Sequence, residues 1–226
     1  MDISDVDRVS RWRALFRWAT RPAKPDQEQW RRLALRLCHD LGSADGHRSV
    51  MLVTADEGAG ELEARCSLEL AESLADELGK PVLVVDASPR VRGLSRLLKC
   101  AELRGLTDAL FEPELPLGEI VLRTTHPNVA VVPAGIIADP VGHVATDRVA
   151  TLLDGFQRDH EVVLFSGGGV PGNGLALALA SSVDCVLLLA TENETTPENL
   201  DAAQESLRVR NAREVGLVLA TRSTGT

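Results

Sequence analysis

The stretch Val50–Glu63, VMLVTADEGAGELE, decides the fold. It opens with an apolar run, Val50–Thr54, and continues through a turn that contains Gly58 and Gly60 into an amphipathic segment. This order predicts a buried β-strand, a glycine-rich turn and an α-helix. Two glycines are common in any turn, so this motif alone is weak evidence for a fold. The pattern of the residues after it makes the prediction more specific.

Short apolar runs alternate with helical stretches after this point. Strands are expected at Val50–Thr54, Pro81–Asp86, Asn128–Pro133, Glu161–Phe165, Asp184–Ala190 and Val215–Ala220. Helices are expected at Asp26–Leu41, Gly60–Leu78, Val91–Leu98, Leu106–Phe111, Val144–Asp159, Asn173–Ser181 and Pro197–Asn211. Continuous apolar strands between helices predict an α/β fold with a doubly wound, mostly parallel sheet covered on both faces. A functional crevice is then expected at the carboxyl ends of the strands.

The composition of the 226-residue chain restricts its chemistry. It has no tyrosine and only three lysines, Lys24, Lys80 and Lys99, so any lysine-dependent mechanism must use one of these. Residues 1–36 carry nine basic and five acidic side chains, whereas residues 37–226 carry 15 and 28. A body with this acidic excess repels phosphate backbones, which argues against nucleic-acid binding.

The basic start of the chain is expected to be a separate unit. Residues 8–21 have the apolar spacing of an amphipathic helix that ends at Pro22, which divides the chain into an N-terminal helix (1–24) and an α/β domain (25–226). One side-chain set is predicted to dock on a partner or a membrane surface: Trp12, Arg13, Leu15, Phe16 and Arg17. Packing of this helix on its own domain is the alternative.

The cysteines and the apolar runs indicate a cytoplasmic protein. The four cysteines form no CxxC pair and have no zinc spacing, which favours reduced, buried thiols. The first residues are too acidic for a secretory signal, and no apolar run approaches the roughly 20 residues that span a bilayer. The histidines show no metal-ligand spacing either, and a divalent metal held by Asp56, Glu57, Glu61 and Asp86 is an alternative.

Two further motifs carry a resemblance to a known family. Gly105-Leu106-Thr107-Asp108 and Pro133-Ala134-Gly135, in this order after the glycine-rich turn, resemble the ATPase domain of bacterial tyrosine kinases over about residues 25–221. The resemblance implies a P-loop ATPase fold and a place at the inner membrane. The implied partner is the cytoplasmic part of a membrane polysaccharide co-polymerase. Glu28 and Arg31 match the first two charged positions of the family's oligomerisation motif, and Ala34 replaces the third.

The same resemblance implies that most of the ATPase residues are replaced. In the loop with Gly58 and Gly60, the phosphate-binding lysine falls at Glu61 and the magnesium-binding hydroxyl at Leu62. Asp86 retains one of two aspartates in the second strand. The other replacements are Ser88 for the second aspartate, Ser166 for the metal-binding aspartate and Ala220 for the adenine-binding asparagine. The tyrosine-rich tail is missing as well.

The charge of the loop opposes nucleotide binding. Two unit charges about 4 Å apart interact by about 4 kcal/mol at an effective dielectric constant near 20, so a glutamate in place of the lysine repels a triphosphate. The first turn of a helix still needs acceptors for its free N–H groups. We expect Asp56, Glu57 or Glu61 to cap this turn in place of phosphate.

The sequence therefore predicts a pseudokinase with no catalytic residue and no cofactor. Its expected role is that of a scaffold or regulator in the export of a capsule, exopolysaccharide or holdfast, as a monomer or an ATP-independent dimer. Three alternatives stay open. They are an ATP-binding kinase or ATPase with atypical site residues, a sensor that binds a non-nucleotide ligand in the strand-end crevice, and a positioning ATPase of the Min or Par type.

Overall fold

Strands and helices alternate along the chain in the computed structural model, which describes residues 14–20, 27–40, 48–137 and 146–222. The strands are β1 (Ala14–Thr20), β2 (Arg48–Thr54), β3 (Val82–Asp86), β4 (Leu122–Arg123), β5 (Val129–Val132), β6 (Val162–Gly169), β7 (Cys185–Thr191) and β8 (Val215–Arg222). The helices are α1 (Gln27–Asp40), α2 (Gly60–Leu78), α3 (Gly93–Leu97), α4 (Leu106–Phe111), α5 (Thr146–Gln157), α6 (Gly174–Leu179) and α7 (Pro197–Val209). Every strand and helix expected between residues 26 and 220 is present within a few residues of its expected bounds.

The strands form one sheet in the order β1-β8-β7-β2-β6-β3-β5-β4. All neighbouring pairs are parallel except β4 and β5, which are antiparallel. Buried residues of α1, α2 and α3 pack on one face of the sheet, and those of α4 to α7 pack on the other. The predicted doubly wound α/β fold is confirmed.

The central strand β2 shows why the strand sequences are continuously apolar. Met51 and Val53 belong to the core beneath α4 to α7, whereas Val50 and Leu52 belong to the core beneath α1 to α3. All four side chains are fully or almost fully buried. A strand covered on both faces cannot alternate apolar with polar residues, which is the pattern that favoured a parallel sheet in the sequence.

The prediction of a helix over residues 8–21 is wrong for the part that the structure describes. Residues Ala14–Thr20 form β1, which pairs in parallel with β8 from Leu217 to Arg222. The backbone of β8 would otherwise carry unpaired N–H and C=O groups along the edge of the sheet, and β1 pairs with them. Pairing with β8 thus outweighs the helical spacing of the apolar residues. Residues 1–13 and 21–26 lie outside the described residues.

Strand β6 extends beyond its expected end at Phe165. It continues through Ser166 to Gly169, because β2 pairs Leu52 with Ser166 and Thr54 with Gly169 across a register shift. Residues 167–169 of this extension are three consecutive glycines. Here they let β6 run close beneath the turn that follows β2. A Cβ atom on Gly169 would lie 2.7 Å from the Cα of Glu57.

The two family motifs at residues 105–108 and 133–135 pack against each other. The amide of Leu106 donates to the carbonyl of Pro133 at 2.8 Å. The Asp108 carboxylate accepts from the amides of Gly105 at 2.8 Å and Ile136 at 3.1 Å. The contact leaves no room for a side chain at Gly105, where a Cβ would overlap the Pro133 carbonyl. The turn at residues 133–135, called the PAG turn below, can therefore pack here only because residue 105 is a glycine.

This contact predicts a large effect for Gly105→Ala. The added methyl group must displace the backbone of Pro133, so we expect the free energy of unfolding to fall by about 3 kcal/mol. Gly118→Ala is the matched control, because a Cβ at that position would have no described atom within 4 Å apart from its chain neighbours. Urea unfolding measures both variants, and an equal, small effect of the two substitutions would contradict the packing described.

Candidate functional site

The turn at residues 55–60 joins β2 to α2 at the carboxyl edge of the sheet. Residues Glu57–Ala59 form one turn of 3₁₀-helix, and α2 begins at Gly60. The N-cap residues of the two helices, Asp56 and Ala59, form no side-chain cap hydrogen bond within the described part of the chain. The expectation that Asp56, Glu57 or Glu61 caps the first turn of α2 is therefore wrong, and Asp56 and Glu61 have other partners.

Glu61, at the position that the resemblance assigns to the phosphate-binding lysine, points away from the site. Its carboxylate accepts from Arg65, one helical turn later, at 2.8 and 3.3 Å, and its side chain is 76% exposed. Leu62, at the position of the magnesium-binding hydroxyl, packs partly buried against the core under α1 to α3. These two replacements thus place an exposed ion pair and an apolar contact where the chemistry would need a cation and a hydroxyl.

Asp56 connects the turn to the start of α7. Its carboxylate accepts from the Thr195 hydroxyl and, at 3.0 Å, from the Asn199 amide nitrogen. The amide of Thr191 donates to the same Thr195 hydroxyl at 2.7 Å. The turn after β2 and the loop after β7 are therefore held together by the side chain of Asp56.

Glu63 is the acidic residue that enters the site. Its side chain is fully buried and lies between the first turns of α2 and the end of β6. One carboxylate oxygen accepts from Ser67 Oγ at 2.7 Å. The other accepts from Ser166 Oγ at 3.0 Å and from the amide of Gly168 at 3.1 Å. A side chain of α2 thus occupies the donors that β6 presents at this edge.

The environment of Glu63 favours its neutral form. Burial, which is the largest effect, raises the pKa of the Glu63 carboxyl group from its ordinary 4.5 to about 8, and the negative charge of Asp86 adds to the rise. The hydrogen bonds from Ser67, Ser166 and Gly168 oppose it. At neutral pH this position therefore holds mainly a protonated carboxyl group.

Asp86, the retained aspartate at the end of β3, is fully buried and has four hydrogen-bond donors. One carboxylate oxygen accepts from the amide and hydroxyl of Ser88 at 3.0 and 2.6 Å, and the other accepts from the amide and hydroxyl of Ser95 at 2.8 and 2.7 Å. A second hydrogen bond joins Ser95 to the PAG turn, since the amide of Ala134 donates to its hydroxyl at 2.9 Å. Asp86 therefore organises the loop after β3.

That loop lies directly against the first residue of α2. A Cβ on Gly60 would lie 2.9 Å from Val91 Cγ1, and a Cβ on Gly93 would lie 2.7 Å from the carbonyl oxygen of Gly60. The Arg92 guanidinium holds the loop in place by donating to the carbonyls of Pro89, Ala101 and Ile136 at 3.0 to 3.2 Å. An apolar side chain thus covers the start of α2.

The structure brings together only part of the predicted site. Gly60, Asp86, Ser88 and Ser166 surround the contact between α2, β3 and β6, whereas Gly58 faces open space. Ala220 is buried in β8, in register with Thr191 of β7. Within the described ranges, no group of three or more His, Cys, Asp or Glu side chains is placed to hold a metal ion.

The predicted oligomerisation residues lie on the surface of α1. Arg31 donates to Glu77 of α2 at 2.5 Å, and Glu28 accepts from Arg32 at 3.0 Å. Ala34 is fully buried in the core under α1 and α2, so the third position of the motif does not face solvent. Self-association through Glu28 and Arg31 stays a prediction.

The sequence did not lead to a prediction of Glu63 as a site residue, because the resemblance places Glu61 at the lysine position. The helical spacing of α2 nevertheless indicates that Glu63 is buried. Glu63, Ser67, Leu70 and Leu74 follow at steps of three and four residues, and all are buried. A glutamate that opens an otherwise buried stripe, with a serine one turn later as a partner, indicates a buried and hydrogen-bonded carboxyl group.

Comparisons with known proteins identify the relatives of the chain. No protein-family model matches it. The tyrosine-protein kinase CpsD of Streptococcus agalactiae is 24% identical over 179 residues, 77% of this chain and 76% of that protein. The solved kinase domain of the Escherichia coli tyrosine kinase Etk superposes with a TM-score of 0.77 at 20% identity, over 91% of this chain and 79% of that one. Its relatives are bacterial tyrosine kinases. The resemblance found in the sequence is confirmed.

A more distant match supports the wider fold class. The cell-division protein MinD of Aquifex aeolicus superposes with a TM-score of 0.57 at 15% identity, over 76% of this chain and 68% of that one. The chain thus has the α/β fold of P-loop ATPases, and its TM-score with the Etk kinase domain is higher than its TM-score with this MinD.

The raised pKa of Glu63 predicts a pH-dependent effect of Glu63→Gln. Between pH 4.5 and 8 the unfolded chain releases the Glu63 proton while the folded chain keeps it, so rising pH favours unfolding until about pH 8. Glutamine keeps an acceptor but cannot ionise. We therefore compare the free energy of unfolding of Glu63→Gln with that of the parent protein. We expect this difference to shift in favour of Glu63→Gln by about 1.4 kcal/mol for each pH unit between about 5 and 8.

Urea unfolding at several pH values measures this difference. Glu61→Gln is the matched control, because it removes an exposed carboxylate two residues away, and we expect a change below about 0.5 kcal/mol throughout. A difference between Glu63→Gln and the parent that stays constant from pH 5 to pH 8 would contradict the environment described for Glu63.

Proposed function

We propose that the chain is a pseudokinase: a relative of the bacterial tyrosine kinases that keeps their fold without ATP chemistry. The single observation that carries the proposal is the buried contact of Glu63 with Ser166 and Gly168. Nucleotide phosphates need the start of the helix after a P-loop and the adjacent strand end to be free and electropositive. Here a carboxyl group from the helix itself joins the two.

The charges around the turn support the same proposal. Asp56, Glu57 and Glu61 lie in or beside it, and Glu63 and Asp86 are buried beneath it. None of the three lysines belongs to the turn: Lys80 follows the far end of α2, and Lys99 follows α3. A triphosphate at this site would meet several carboxyl groups, and neither Lys80 nor Lys99, the lysines of the described ranges, lies in the turn to offset them; the cost is several kcal/mol.

Isothermal titration calorimetry with ATP and ADP in the presence of magnesium tests this proposal. We expect no binding up to millimolar nucleotide at pH 7.5, for a sample whose cooperative thermal unfolding shows that it is folded. Micromolar affinity would overturn the proposal and favour an ATPase with atypical residues. In that case Asp86→Asn, which alters the buried carboxylate at the end of β3, should weaken binding.

The role proposed for such a pseudokinase is to scaffold or regulate the export of a cell-surface polysaccharide. The partner would be the cytoplasmic part of a membrane co-polymerase, and the chain would act in the cytoplasm beside the inner membrane. No helix in the described ranges is long and apolar enough to cross a membrane. The docking region would be the basic start of the chain, including Leu15, Phe16 and Arg17 of β1 together with Trp12 and Arg13.

Co-purification with the cytoplasmic part of a co-polymerase from the same genome tests the partner. We expect the double variant Arg13→Glu, Arg17→Glu to reduce capture at least tenfold, because it reverses two charges in the docking region. Arg208→Glu on α7 is the control, since this exposed arginine pairs only locally with Glu205. Equal capture of both variants, or no capture of the parent chain, would contradict the proposed docking.

A further inference from the structure

Glu63 is the buried acidic side chain that joins the start of α2 to β6. Its carboxyl group reaches Ser166 and Gly168 across the sheet edge, while Ser67 lies on its own helix. The negative charge of Asp86, at the end of β3, acts on the Glu63 carboxyl group and raises its pKa further. The groups that α2 and β6 present to it are neutral hydroxyl and amide donors, so no cation is described that would balance a charge on Glu63.

The turn above this contact rests on glycine backbone. Gly168 has a positive φ of 63°, and Gly169 lies so close to Glu57 that a Cβ there would come within 2.7 Å of the Glu57 Cα. Among the described residues, the N-cap residues of the turn and of α2, Asp56 and Ala59, form no side-chain cap hydrogen bond. Side-chain hydrogen bonds join this region to neighbouring elements at two places: Glu63 bonds to β6, and Asp56 bonds to Thr195 and Asn199.

The buried Glu63 carboxyl group can be protonated or ionised, and the two forms differ in the surroundings that stabilise them. In its neutral form it can donate its proton to a serine hydroxyl and still accept from the Gly168 amide. In its ionised form it puts a second negative charge beside Asp86 in a dry site, where charge is expensive. Separation of the start of α2 and the turn from β6 would break the contacts that bury Glu63 and would let water reach its ionised form.

We propose that Glu63 is a proton-controlled latch, which holds the turn at residues 55–60 and the start of α2 closed on β6 when protonated and loosens when it ionises. The pKa of about 8 places the loss of the proton within one pH unit of neutrality. The latch does not depend on the proposed lack of ATP chemistry, because it concerns only the equilibrium between closed and open turn.

The latch makes a quantitative prediction for amide hydrogen exchange. If the open turn gives Glu63 its ordinary pKa of 4.5 and the closed turn a pKa of about 8, the opening constant rises about tenfold for each pH unit between about 5 and 8 and levels off above 8. Exchange of the hydrogen-bonded amides of Ala59, which donates to the Asp56 carbonyl, and Gly168, which donates to Glu63, measures this constant. It is read by nuclear magnetic resonance and corrected for the intrinsic pH dependence.

Two variants separate the latch from a purely structural role. Glu63→Gln keeps an acceptor for Gly168 and is expected to give an opening constant that does not change with pH. Glu57→Gln removes an exposed carboxylate from the same turn and is expected to keep the full pH dependence. In the parent protein the chemical shift of the Gly168 amide should titrate with a midpoint near 8.

Three results would overturn the proposal. They are a Gly168 midpoint below about 6, an opening constant of the parent protein that is flat between pH 5 and 8, and a pH dependence that survives in Glu63→Gln. The first two are measured on the parent chain alone, so the test holds even if Glu63→Gln fails to fold. The calorimetric result for ATP does not affect any of these outcomes, so the two proposals can fail separately.

Discussion

The hydrogen bonds from Ser166 and Gly168 to the buried Glu63 carboxyl group are the interaction on which the candidate site depends. They fix where α2 begins relative to β6 and fill the space between them from within the chain. An unpaired buried carboxyl group would cost several kcal/mol, so the site needs these donors as much as they need an acceptor. The result is a turn whose centre is occupied without a ligand.

The glycines of β6 make this arrangement sterically feasible. Side chains at residues 167–169 would collide with Val53, Ser88 and the backbone at Glu57, as a Cβ at each position lies within 2.6 to 3.1 Å of one of them. The strand can therefore approach both the turn after β2 and the loop after β3. Asp86 completes the arrangement by binding Ser88 and Ser95, which holds the second loop beside the start of α2. The family resemblance implies an aspartate at the end of this strand. In this chain, residues Ser166 to Gly169 offer neutral hydroxyl and amide donors at that end.

Much of the fold could be predicted because it follows from burial. The apolar runs at β2, β3, β6 and β7 are covered on both faces, and this produces a sequence pattern that few other folds share. The β1 segment could not be predicted correctly, because a strand that adds to a sheet edge is decided by pairing with a distant strand, β8, and not by its own spacing. The end of β6 was missed for a related reason, since glycines have no side chain to show a periodicity.

The identities of Glu61 and Leu62 are visible in the sequence, but the contacts of the site could not be predicted from it. The structure adds that Glu61 is exposed and pairs with Arg65, and that Leu62 packs against the core. The partner of each carboxylate was beyond local pattern, because Asp56 binds residues about 140 positions later and Glu63 binds residues about 100 positions later. Only the spacing of Glu63 and Ser67 along α2, in phase with its buried leucines, indicated that the Glu63 side chain is buried.

A crystal structure of the protein grown with millimolar magnesium and a non-hydrolysable ATP analogue tests the central claim most directly. The account predicts no nucleotide at the turn and the Glu63 carboxyl group still within hydrogen-bond distance of the Gly168 amide and Ser166. Nucleotide phosphates bound at the start of α2, with Glu63 displaced from β6, would contradict it.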